Sequence, residues 1–197
     1  MSISSAQLLH RLAQRVDRIN EWVGATISWL TIAMVALTFL IVLMRYLFDS
    51  GWIAVQESVT YMHAMVFMLG SAYTLKHEGH VRVDIFYQKA SLRNRAWVDL
   101  LGSLFLLLPT MLFILYMCWD YVSDSWMLLE DSAETGGLPA VFLLKSNMVL
   151  LPLLMVMQGL AQAAHNALFL MGVEPPSEEY HGPACGDKEA EHPLEVK

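Results

Sequence analysis

The chain has 197 residues, of which 56% are apolar and only 16% charged, against roughly 45–50% and about 25% in ordinary soluble domains. Its mean hydropathy is +0.45, its formal net charge is −7 and its pI is about 5.4. This composition argues against a soluble enzyme and a disordered protein, and with no basic face to neutralise phosphates it excludes a nucleic-acid partner. The two cysteines, Cys118 and Cys185, form neither a CxxC pair nor a zinc spacing.

Residues 1–21 read as an amphipathic arm. Leu8, Leu12, Val16 and Ile19 recur at helical spacing opposite Arg11, Arg15 and Arg18, a pattern suited to lying in the cytoplasmic interface. From Trp22 to Met44 no Asp, Glu, Lys, Arg or His occurs. This run exceeds the roughly 20 residues that cross a hydrocarbon core, and no A-x-A-like cleavage site follows it. A first span over 22–44 is expected.

The second span is predicted over 55–75, diluted by Glu57 and His63. A carboxylate one turn inside a span must be paired, protonated or wet. Arg45, at the end of the first span, returns to similar depth through the short stretch RYLFDSGWIAVQE. Three readings of Glu57 stay open: an ion pair with Arg45, a contact with a charged group on a partner subunit, and exposure to headgroup water. Gly79 is a good helix terminator. Beyond it His80, Arg82 and Asp84 alternate with Val81, Val83 and Ile85, as in a short extended piece or an amphipathic helix edge at the membrane surface.

The third span is expected over 97–119, with a Trp at each end as in an aromatic belt. Pro109 should kink it or free a carbonyl. An acidic loop over 120–139 follows, with Asp120, Asp124, Glu130, Asp131 and Glu134 and no Lys or Arg. The fourth span is placed over 147–170. Lys145 precedes it, able to snorkel or to pair with the acidic loop, and Gln158, Asn166 and the small residues of GLAQAA (159–164) suit helix–helix contact. Residues 172–197 are expected to be a disordered hydrophilic tail.

Ten of the twelve basic residues fall in 1–21, 76–96 and the tail. The positive-inside rule then gives four transmembrane helices with both termini cytoplasmic. His63, His80 and His165 invite a second reading, a membrane anchor of a redox complex binding haem b. His63 lies roughly 18 Å from the cytoplasmic end of its helix and His165 roughly 9 Å, a poor match in depth for one haem. No GxSxG, HExxH, Walker-type or Gly-rich dinucleotide pattern occurs, so no enzyme and no cofactor is expected.

The order of features resembles a known family. RYLF (45–48) ends the first helix, Trp52 and Glu57 open the second, MLGSAYTLKHEGHVRVDIFY (68–87) follows, and GLPAVFLL (137–144) leads to LLPLLMVMQGL (150–160). Over residues 22–171 this is similar to the small, DctQ-like membrane subunit of tripartite ATP-independent periplasmic (TRAP) transporters, with GHVRVD the most specific piece. The resemblance implies an all-α subunit in the bacterial inner membrane, partnered by a large permease subunit and a periplasmic solute-binding protein. It implies sodium-coupled import of an organic acid, with the substrate and sodium sites on the large subunit, which this chain braces. By position, Arg45, Trp52, Glu57, His80, Arg82 and Asp84 match the family's recurrent polar and aromatic sites, and the resemblance makes them the expected partner contacts.

Overall fold

The computed structural model describes residues 3–77, 79–80 and 90–173, with residues 3–5 described by backbone alone. Among these residues every regular element is helical. Helix α1 spans Ile3–Phe48, α2 Ile53–Lys76, α3 Leu92–Gly102, α4 Leu108–Leu128 and α5 Val141–Leu170. A π turn, Ser103–Leu107, fuses α3 and α4 into one rod of 37 residues. Three rods are long and apolar enough to cross a membrane: α1, α3–α4 and α5. α2 has 24 residues and so the length to do so, about 36 Å, but Gln56, Glu57, Ser58, Thr60 and His63 crowd its first half. The predicted spans over 22–44, 55–75, 97–119 and 147–170 each lie inside one of these four rods. Arg82, Asp84 and residues 174–197 fall outside the described residues.

α5 packs against α1, α2, α3 and α4. Its buried residues include Asn147, Pro152, Met155, Gln158, Gly159, Ala161, Ala163, Asn166 and Leu168. They cover most of its circumference, as expected of a helix enclosed by its neighbours. The small residues at 159–163 let those neighbours approach closely. Pro109 neither ends nor breaks its helix. It has no N–H to offer the carbonyl one turn back, and the π turn just before it widens the helix and absorbs the misfit. Gly159 faces that swelling, where a Cβ would run into the Leu107 side chain.

The arm differs from the expectation. It is continuous with the first span in one 46-residue helix, with no break between residues 21 and 22. Within it Leu8, Leu12 and Ile19 are exposed, while Ala6, Ala13, Asn20 and Ile27 are buried against the bundle. These four recur every seven residues, the spacing that keeps one seam facing a neighbouring helix. Ala6 and Ala13 permit close backbone approach along that seam. Further along it, a Cβ on Gly24 would collide with the base of the Tyr73 ring, and Gly70 receives Ile27.

Elsewhere α1 and α4 expose large apolar side chains, Trp29, Ile32, Val35 and Phe39 on one and Leu112, Phe113 and Tyr116 on the other. Apolar surface of this extent suits lipid or a membrane partner rather than water. Gly24→Val overpacks the α1–α2 seam and should cost about 1–3 kcal/mol. The expected readout is a lower thermal midpoint of the purified protein in detergent, with a smaller drop for Gly24→Ala.

Candidate functional site

The polar groups of the bundle gather at its two ends. At the end bearing the 129–140 loop, Glu57 is the organising residue. Its Oε1 accepts from the Ser132 hydroxyl and its Oε2 accepts from the Leu138 backbone N–H at 2.6 Å. The Arg45 partner considered from the sequence is not used. Arg45 is exposed and makes no ion pair among the described residues, because α1 ends with it facing away and the chain reverses at Asp49, whose φ is 46°. Glu57 instead reaches across to a loop 75 to 81 positions further along the chain. Gly137 makes room for this, since a Cβ there would lie 2.7 Å from Glu57 Oε2.

The loop is built to receive that carboxylate. α4 closes with Leu129 in the left-handed region, φ 46°. The Leu129 N–H donates to the Trp126 carbonyl at 3.3 Å and the Glu130 N–H to the Ser125 carbonyl at 3.1 Å, the pairing of a Schellman motif. Glu130 then serves three neighbours. Its backbone carbonyl accepts from the Val141 N–H at 3.1 Å, satisfying a free donor at the start of α5. Its side chain accepts from the Ser125 hydroxyl at 2.7 Å and from the Lys145 ammonium, which holds the Glu130 carboxyl below its usual range. Lys145 also sits 4.0 Å from the centre of the Tyr121 ring. The pairing of Lys145 with the acidic loop, one of its two sequence readings, is therefore formed. Trp126 donates its indole N–H to Ser146 at 2.8 Å and meets the Phe142 ring edge-on at 4.8 Å.

At the opposite end α1 is tied to α2 and α5. The Lys76 ammonium meets Glu21 at 2.5 Å and His77 Nε2 lies 3.1 Å from the same carboxylate oxygen. Gln158 donates to Asp17 Oδ1 at 2.9 Å and accepts from the Asn20 amide at 2.6 Å in a buried contact. His165 Nε2 lies 3.0 Å from Asp17 Oδ2, with the His10 ring edge-on to it, centroids 6.0 Å apart. Glu57 and Lys76 are 19 positions apart on one helix, or roughly 28 Å, close to the roughly 30 Å thickness of a hydrocarbon core. His165 thus faces α1 within the bundle, whereas His63 is exposed on α2. They do not converge on a common haem site. No group of three or more His, Cys, Asp or Glu residues could hold a metal ion among the described residues.

Of the other expected contacts, Trp52 and His80 are exposed. Trp52 also starts α2, its carbonyl accepting from the Val55 and Gln56 N–H groups at 3.1 and 3.2 Å. Sequence reasoning missed Asp17, Asn20, Glu21 and Ser132. The seven-residue repeat of Ala6, Ala13, Asn20 and Ile27 would have signalled the first three; Ser132 is recognisable only once the loop folds over Glu57.

A family model for the DctQ component of tripartite ATP-independent periplasmic transporters matches residues 34–168. The chain belongs to this family. Its resemblance to small TRAP subunits, drawn from the sequence, therefore holds. The chain is 31% identical over 111 residues to a protein of Vibrio cholerae serotype O1 named as the C4-dicarboxylate TRAP transporter small permease protein DctQ. That match takes in 56% of this chain and spans about half, 46%, of the relative's length. No solved structure matches. A DctQ component is part of a transporter rather than an enzyme, and the two polar clusters accordingly read as ties between helices.

Glu57→Ala strands the Leu138 N–H and the Ser132 hydroxyl. Losing these hydrogen bonds should loosen the loop, visible as faster amide hydrogen exchange across 129–140. Glu130 gives a pH signature. Its folded pKa is depressed below that of an ordinary glutamate by the Lys145 ammonium and the Ser125 hydroxyl, so its contribution is present above the unfolded value and is lost as pH falls through the folded pKa. The loop amides should exchange faster over that acidic window, and Glu130→Gln should remove this step.

Proposed function

We propose that the chain is the small scaffold subunit of a sodium-coupled TRAP transporter that imports an organic acid bearing a carboxylate, delivered by a periplasmic solute-binding protein. The observation that carries this reading is the family match over 34–168, which runs from within α1 to near the end of α5 and so takes in part or all of every helix of the bundle. The relative's name, a C4-dicarboxylate transporter subunit, supports a carboxylate cargo.

In this reading α2 is the fourth span. Both termini are cytoplasmic in the bacterial inner membrane, and the 129–140 loop faces the periplasm. The basic residues of the arm and of the 76–96 stretch support this orientation. So does the spacing of the two polar clusters, about one hydrocarbon thickness. The division of labour follows from where the ionisable groups lie. A solute pathway needs several polar groups or broken helices near the midplane, and here they concentrate at the ends, His63 excepted. The large permease subunit carries substrate and sodium. This chain widens the footprint of its static part, so that a moving element has a fixed reference in the bilayer.

Reconstitution tests the reading. Vesicles holding this chain, its large subunit and the binding protein should accumulate labelled dicarboxylate under an inward sodium gradient. Vesicles lacking only this chain, or holding it alone, should not. Uptake by the chain alone, or undiminished uptake without it, would overturn the proposal. A periplasm-active reporter fused after Lys197 should stay inactive; activity there would overturn the orientation.

A further inference from the structure

Among the described residues, α2 is the long rod that does not reach the apolarity of a membrane span, and it is covered on only part of its circumference. It packs against α1 and α5. Its remaining side carries Gln56, Thr60, His63 and Phe67, all exposed. Their spacings of four, three and four place them in one strip along the helix. None of the Gln56, Thr60 and His63 side chains has a hydrogen-bond partner among the described residues. This contrasts with Ser71 and Thr74 on the same helix, whose hydroxyls donate to the Phe67 and Gly70 carbonyls. His63 lies roughly 15 Å from one end of α2 and roughly 20 Å from the other, at the depth where hydrocarbon is thickest.

Acyl chains cannot serve such a strip. A hydroxyl and an imidazole left without partners in hydrocarbon cost several kcal/mol each, and Gln56, level with Glu57 at the end of the bundle, carries the strip on to the interface. The exposed faces of α1 and α4 are different in kind, with Ile32, Val35 and Phe39 on one and Leu112 and Phe113 on the other, and lipid suits them. We propose that the Gln56–Thr60–His63–Phe67 strip is the docking surface for a transmembrane helix of the large permease subunit. That helix offers hydrogen-bonding side chains opposite Gln56, Thr60 and His63 and apolar surface opposite Phe67. This inference rests on the transporter reading above, which supplies the membrane partner; it adds which face of the chain that partner covers. The strip also accounts for how a helix with polar side chains along one face stands in the bilayer: the partner helix covers the side that α1 and α5 leave open.

Three exposed phenylalanines make the test. Phe67 on α2, Phe39 on α1 and Phe113 on α4 are 70%, 67% and 63% exposed, and each can be replaced by the photoreactive benzoylphenylalanine in the full chain co-expressed with its large subunit. Irradiation should link position 67 to the large subunit and leave 39 and 113 linked to lipid. In a second arm, Gln56→Leu, Thr60→Val and His63→Leu are combined. Membrane helix–helix hydrogen bonds are individually modest, so recovery of the large subunit should fall about tenfold while the amount of this chain in the membrane is unchanged. Capture from 39 or 113 but not 67, capture of a second copy from 67, capture from none of the three, or full recovery with the triple variant would each overturn the docking face while leaving the transporter reading intact. Failure of the two subunits to co-purify at all would overturn that reading and this inference with it.

Discussion

Acyl chains neither donate nor accept hydrogen bonds, so each polar group on a helix of this chain has to reach one end of the bundle or be met by protein. The bundle does both. Glu57, Glu130 and Lys145 are tied together at one end through a loop whose turns are themselves hydrogen-bonded, and Asp17, Glu21, Lys76 and His165 are tied at the other. These ties join α2 to the α4–α5 loop and α1 to both α2 and α5. α2 and α5 are thereby fixed at both ends, α1 at one and α4 at the other, and apart from Thr60 and His63 on α2 the stretch between is left largely to apolar and small side chains.

That middle stretch relies on close approach. Gly24 against Tyr73 and Gly159 against Leu107 are places where a single methyl group would collide. The second contact involves the π turn that Pro109 imposes on its helix, so a feature that would disrupt a soluble helix here becomes a bulge for α5 to receive. In a membrane the apolar effect gives little preference for helix against helix over helix against lipid, so fit of this kind has to hold the bundle together.

Much of the architecture was legible in the sequence because hydropathy reports directly on burial in lipid. The long uncharged run from Trp22 to Met44 and the Trp-bracketed third span could hardly be anything but membrane-length helices. The pairing of Lys145 with the acidic loop followed from their nearness in the chain, and the interhelical role of Gln158 from its setting among small residues. The partner of Glu57 was not legible. Ser132 and the Leu138 amide become available only when Leu129 and Gly136 turn the chain back over α2, and a backbone N–H leaves no mark in the sequence. The packed face of the arm was not read from the sequence either: the repeat of Ala6, Ala13, Asn20 and Ile27 marks it, and the leucine stripe lies outside it.

α1 has a mechanical consequence. Its 46 residues make a rod roughly 69 Å long, more than twice the thickness of the layer it crosses, and it contains no proline or π turn to act as a joint. Such a beam transmits angle faithfully: a rocking of about 10° at one end carries the other through roughly 12 Å. A tilt of this helix on one side of the bilayer therefore appears as a sideways displacement on the other.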